Sequence, residues 1–154
     1  SVPSTRRSRR RASSRPMASL QLEIRTPERT VYEGEASSVQ IPTSDGLMGV
    51  LPRHAPLLAD VGSGLLSVTE AAGGAVIEMT VHHGFVEVGD NQVRVVCEAG
   101  ELPDDLDAAR ADDAEQRARE RLKGKVSDID VPRARASLQR AIWRKKLMNR
   151  RARS

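Results

Sequence analysis

From Leu20 to Glu98 apolar and polar residues alternate in short runs. In "LQLEIRT" the apolar positions are Leu20, Leu22 and Ile24, the period of two expected of a half-buried strand. "SVQIP" repeats it at Val39 and Ile41, and "GLMGVLP", "LLADV", "GLLSVTE", "AVIEMTVH", "GFVEVG" and "QVRVVCE" are further short strands. Turn residues separate them at Ser44-Asp45-Gly46, Gly62-Ser63-Gly64, Gly73-Gly74 and Gly89-Asp90-Asn91. About eight strands with no helical period between them predict an antiparallel β-sandwich or flattened barrel.

The period changes after Glu101. "PDDLDAARADDAEQRARERL" is rich in Ala, Glu, Gln and Arg, all strong helix formers. Pro103, Asp104 and Asp105 suit a helix N-terminus, where acids are favoured by the helix dipole. Leu106, Ala109, Ala114, Ala118 and Leu122 form a narrow apolar stripe. "KGKVSDID" supplies a turn, in which Ser127 and Asp130 have capping-box spacing, and Pro132 suits the first turn of a second helix. That helix runs to about Asn149, with Val131, Ala134, Leu138, Ala141, Ile142 and Met148 on or near one face. Two alanine-lined helices joined by a short turn predict an antiparallel αα-hairpin. Such a thin hairpin buries little area by itself, so it must dock on the sandwich, on a partner, or on each in turn.

The expected organisation is therefore a basic extension at 1–16, a β-sandwich at 17–100 and a helical hairpin with a basic tail at 101–154. Residues 1–16 hold six arginines and no acid, a composition that reads as disordered or as a transit-like leader, or as residues preceding a natural start at Met17. The sandwich segment carries four basic and eleven acidic residues, whereas 101–154 carries fifteen basic and ten acidic ones. All charges after Asp130 are basic, nine in number. A basic tail on an acidic body has two destinations, its own body or an acidic partner, and that is the charge pattern of a switch.

The chemistry-bearing residues are few. There is no phosphate-binding glycine loop of the GxxxxGK[ST] type, no GxSxG, no HExxH and no CxxC, so no catalytic residue or metal site is expected. The lone cysteine, Cys97, reads as a small buried hydrophobe. His54 in "LPRHAPLL" suits a turn-stabilising hydrogen bond. His82 and His83 are adjacent on a strand, so their rings are expected on opposite faces. No apolar run reaches the roughly 18–20 residues needed to span a bilayer, so no direct membrane insertion is expected.

The arginines offer more. Arg110 and Arg117 are seven apart on the first helix, and Arg140 and Arg144 four apart on the second. Asp107 precedes Arg110 by one turn, and Glu101 precedes the helix. If the hairpin closes with these faces together, four guanidinium groups converge, which costs free energy unless an anion lies among them. A polyphosphate fits, because arginine forks match phosphate oxygens in bidentate geometry. Solvated faces paired with Asp and Glu fit the same spacing. A basic nucleic-acid-binding or scaffold protein without nucleotide sensing is the alternative; a nucleic-acid role has the basic C-terminus in its favour, and against it three aromatic residues and an acidic strand region.

Taken together, "EGEASSVQIPTSDGLMGVLPRHAPLL", "GFVEV" followed by "VRVVCE", "ELPDDLDAARA" and "SLQRAIWRKKL" resemble the epsilon subunit of bacterial F-type ATP synthases. The similarity runs from about Leu20 to Leu147, and "GVLPRHAPLL" is its most specific part. It implies a non-catalytic rotor subunit that binds the gamma shaft and the c-ring, peripheral on the cytoplasmic side of the bacterial plasma membrane. The ring-facing loop corresponds to Ser44, Asp45, Gly46, Leu47 and Met48. The hairpin is implied to act as a brake on ATP hydrolysis, its basic residues facing the catalytic alpha and beta subunits when extended. No cofactor is required, but several bacterial members bind regulatory ATP through a Leu/Ile-Asp-x-x-Arg-Ala motif, matched here by Leu106, Asp107, Arg110 and Ala111. The accompanying family positions correspond to Glu101, Arg117, Arg140 and Arg144. The tail "MNRRARS" is more basic than that motif requires.

Overall fold

A computed structural model describes residues 18–106, 108–124 and 131–153. The basic extension at 1–16, Asp107 and the Ser127–Asp130 turn lie outside the described residues, as do the side chains of Ala109 and Ala111.

Seven strands form the N-terminal part: β1 (Leu20–Arg25), β2 (Thr30–Thr43), β3 (Gly46–Val50), β4 (Leu57–Val61), β5 (Gly64–Glu70), β6 (Val76–Gly89) and β7 (Gln92–Glu101). The hydrogen-bonded order β1-β7-β6-β5-β2 closes through the β1–β2 pairing, with β3 on β2 and β4 on β6. This is a flattened barrel. β2 and β6, each 14 residues long, each pair with three other strands. The core is aliphatic, as the sequence requires: Leu20, Leu22, Ile24, Val39, Ile41, Leu66, Val68, Met79, Val81, Val86 and Val95 are buried within it. Cys97 is buried there too, its thiol pushed up by burial and its Sγ directed at the Arg25 carbonyl.

The expected β-sandwich is present, with two departures in detail. β1 pairs with β7 in parallel, whereas the other ladders are antiparallel. A sandwich that brings its first strand beside its last can do so in either direction, and no hairpin turn links these two to dictate one. Secondly, "AVIEMTVH" and "GFVEVG" are one strand, β6. Along it the buried core positions switch from Met79 and Val81 to Val86 and Val88, so the alternation slips by one at a kink where His83 takes φ 46°. The turn residues behave as expected: Asp90 (φ 50°) and Asn91 (φ 59°) have both central φ values positive in a two-residue β6–β7 connection. That geometry matches the twist of an antiparallel pair.

After β7 the chain makes a short 3₁₀ turn (Pro103–Asp105), then α1 (Ala108–Lys123) and α2 (Val131–Arg153). The first helix thus starts later than its composition predicts. Asp105 caps the 3₁₀ turn by accepting from the Leu102 N–H (3.0 Å), and Arg29 of the sandwich donates to the same carboxylate at 2.6 Å. That guanidinium holds the Asp105 carboxyl below the usual carboxylate range. The alanine stripes are buried as expected at Ala118, Ala134 and Ala141, and the two helices pack against each other. Leu147, which the sequence reading passed over in favour of Met148, is also buried. Among the described residues no helix is long and apolar enough to cross a membrane.

Candidate functional site

The hairpin docks by laying α2 over the face of β6 and β5 that points away from the core. On β6 that face carries Glu78, Thr80 and His82, because the alternate residues Met79 and Val81 face inward. Three cross-links define the contact. Arg150 Nε donates to Glu78 Oε1 at 2.9 Å, and Arg144 Nε donates to Glu101 Oε1 at 2.5 Å. Trp143 lies against β5, where a Cβ added to Gly64 would be 3.9 Å from its ring. Lys146 Nζ stands 4.4 Å from the centroid of the same indole. Within the hairpin, Lys145 bridges Asp112 (3.1 Å) and Glu115 (2.9 Å) of α1, and this lysine lowers the Glu115 carboxyl's pKa.

Of the predicted nucleotide residues, the structure joins Glu101 to Arg144 directly. Glu101 is the last residue of β7 and pairs across the ladder with Thr80, which places its carboxylate at the edge of the face that α2 covers. Arg140, one turn before Arg144, donates to Ser137 Oγ (3.2 Å) and stands with Arg144 over His82. Arg110 and Arg117 are exposed on α1. Asp107 lies outside the described residues.

His82 is the residue that sequence reasoning missed. It is 1% exposed, and its Nδ1 is 3.1 Å from Ser63 Oγ. Its Nε2 is buried with no hydrogen-bond partner among the described residues, as is the Thr80 hydroxyl two residues before it on the same face. Burial first, then the Arg140 and Arg144 guanidinium groups and His83, lower its pKa to about 4. The expectation that His82 and His83 project to opposite faces is also corrected, since His83 Nε2 reaches the same Ser63 hydroxyl at 3.3 Å. The kink at His83 removes the strict alternation on which that reading rested. An apolar-flanked "TVHH" gives no local sign of this, because it depends on what α2 covers. Among the described residues no group of three or more His, Cys, Asp or Glu side chains is placed to hold a metal. His54 Nδ1 lies 2.8 Å from the Ala55 carbonyl, a turn contact as expected.

The other predicted site is the β2–β3 hairpin. Thr43 Oγ1 donates to the Gly46 carbonyl (2.7 Å) and accepts from the Asp45 N–H (3.2 Å), closing the tip. Gly46 has φ 119°, a conformation that a side chain would strain. Ser44, Asp45 and Gly46 are exposed, Leu47 is 69% exposed and Met48 half-buried, so the tip presents an apolar side chain to solvent.

Comparison with known proteins covers both parts of the chain. The family model described as ATP synthase, Delta/Epsilon chain, beta-sandwich domain matches residues 19–103, and its long alpha-helix counterpart matches 104–147. The ATP synthase epsilon chain of Halalkalibacterium halodurans is 42% identical over 81% of this chain and 93% of its own length. That of Ruminiclostridium cellulolyticum is 40% identical over 88% and 99% respectively. Among solved structures, a chain of the Euglena gracilis mitochondrial ATP synthase (OSCP/F1/c-ring, rotational state 1) superposes with a TM-score of 0.68 at 20% identity. That match covers 82% of this chain and 79% of the other, and establishes likeness of fold.

Proposed function

The chain belongs to the delta/epsilon family of ATP synthase subunits, an accessory and not a catalytic component, and we propose that ATP holds its hairpin in the docked position. The observation that carries this reading is the Glu101–Arg144 ion pair. Two residues of the candidate nucleotide set, far apart in sequence, already meet across the boundary between sandwich and hairpin. A ligand seated on Arg140 and Arg144 therefore touches the one contact surface whose separation releases the hairpin. In this reading the guanidinium groups of Arg110, Arg117, Arg140 and Arg144 take the phosphates, while Glu101 and Asp107 orient arginines or meet base and ribose.

Binding restricted to the docked form stabilises it by RT ln(1+[ATP]/Kd), about 2.7 kcal/mol at a hundredfold excess over Kd. When ATP falls, the hairpin is released, and its basic second helix turns to acidic segments of the alpha and beta subunits and restrains hydrolysis. The sandwich binds the gamma shaft, and the exposed loop Ser44–Met48 meets the c-ring. The subunit is then peripheral, on the cytoplasmic side of the bacterial plasma membrane. Family membership leaves the nucleic-acid alternative without support.

The test is an ATP titration of the full chain followed by Trp143 fluorescence, since the indole lies in the docking surface beside Arg144. A saturable change is expected, weakened by Arg144→Ala far more than by Arg94→Ala on the exposed side of β7. No change at millimolar ATP would remove the ligand while leaving the family assignment intact; equal effects of the two substitutions would reduce it to bulk charge.

A further inference from the structure

We propose that His82 is a nucleotide contact of this chain, its Nε2–H donating to a phosphate oxygen held by Arg140 and Arg144; this rests on the ATP reading above. Three observations converge on the imidazole. It is 99% removed from solvent by its 1% exposure, yet Nε2 has no hydrogen-bond partner among the described residues. Buried polar atoms in folded proteins are satisfied in the great majority of cases, and those that are not call for an explanation such as a ligand. Secondly, the Thr80 hydroxyl beside it is in the same condition, and Thr80 is the ladder partner of Glu101, which binds Arg144. The two unsatisfied groups thus adjoin the one ion pair already assigned to the nucleotide. Thirdly, the charges that face His82 from α2 are Arg140 and Arg144, both cationic, and from its own strand His83. Glu101 compensates only one of the guanidinium groups, so the surroundings favour an anion over a second cation.

Ser63 permits the tautomer that this contact requires. Its hydroxyl lies between His82 Nδ1 (3.1 Å) and His83 Nε2 (3.3 Å) and has a single proton to give. When Ser63 donates to His82 Nδ1, His82 must carry its proton on Nε2, and His83 donates from its own Nε2 to Ser63 Oγ. That arrangement satisfies the hydroxyl fully and presents an N–H donor beneath α2. The ligand chemistry is a polyphosphate chain, and the sandwich supplies a contact to it that the arginine set on the helices does not.

The experiment uses the full chain with ¹⁵N-labelled histidine, the His82 signals being assigned by loss in His82→Phe. ATP, inorganic tripolyphosphate and adenosine are titrated separately while Trp143 fluorescence gives affinities. The expected result is an Nε2–H tautomer whose Nε2 resonance shifts saturably with ATP and with tripolyphosphate but not with adenosine. Affinity for ATP should fall about tenfold or more in His82→Phe, as expected for losing a hydrogen bond to a charged group, and recover substantially in His82→Gln. If ATP binds in an Arg144-dependent manner while the wild-type His82 resonances stay still, the contact is refuted and the ATP reading stands. A tripolyphosphate arm that leaves the resonance unmoved while adenosine shifts it likewise overturns the phosphate contact. If ATP shifts no histidine and produces no saturable fluorescence change, both readings fall together. The wild-type resonances decide the matter even if His82→Phe fails to fold.

Discussion

Arg144 Nε lies 2.5 Å from Glu101 Oε1, tying the middle of the C-terminal helix to the last residue of the last strand, 43 positions earlier. Both side chains are partly exposed, at 30% and 21%, so the pair is screened and modest in energy. Its importance is its place: it spans the boundary along which the hairpin must separate from the sandwich.

Removing the Glu101 charge should therefore loosen the hairpin without unfolding the sandwich. For Glu101→Gln the expected loss of docking stability is about 0.5–1.5 kcal/mol. Hydrogen exchange should accelerate several-fold in α2 and remain unchanged in β1, β5 and β7. Acceleration spread evenly over the whole chain would contradict a local role.

Acid should release the hairpin through His82. The imidazole has an ordinary pKa near 6.5 when solvated and about 4 when docked. Between those values the released state takes up a proton and the docked state does not, so docking is fully stable above about pH 6.5 and weakens as pH falls toward 4. At 1.36 kcal/mol per unit the loss accumulates to about 3 kcal/mol. The groups facing His82 are Arg140 and Arg144 from α2, His83 on its own strand and the neutral Ser63 hydroxyl. Protection factors in α2, corrected for the intrinsic exchange rate at pH 7.5 and pH 5, should differ strongly in the wild type and little in His82→Gln; an equal pH response in both would assign the effect to carboxylates.

Gly84 should tolerate no side chain. An added Cβ would lie 1.9 Å from the Val96 carbonyl oxygen and 2.7 Å from Cys97 Cα, both backbone atoms of β7. Neither can move without opening the β6–β7 ladder. Gly84→Ala is expected to destabilise the sandwich by about 1–3 kcal/mol, visible as a lowered thermal midpoint. A midpoint within a degree of the wild type would show that the two strands can separate locally.

Leu47 should matter to assembly and not to folding. It is 69% exposed at the tip of the β2–β3 hairpin, so Leu47→Glu removes almost no buried area. Stability should change by less than about 0.5 kcal/mol. Retention on the assembled ATP synthase after washing should fall, as expected if the tip enters an apolar contact with the c-ring. Full retention would direct attention elsewhere on the sandwich surface.

Much of this molecule is legible along the chain. Alternation at Leu20, Leu22 and Ile24, the positive-φ formers Asp90-Asn91, and the alanine stripes of the two helices are local statements, because strand period, turn chemistry and helix propensity are written over a few residues. The arginine pairs are local in the same way, since spacing on a helix places them on one face. What only the tertiary structure decided is which groups those faces meet. That β1 runs parallel to β7, that β6 kinks at His83 so that two adjacent imidazoles share Ser63, and that α2 seals His82 beneath Arg140 and Arg144 all depend on contacts between distant segments. A histidine on a strand reads as ordinary until a helix from the far end of the chain covers it, because burial and partner are properties of the packed surface.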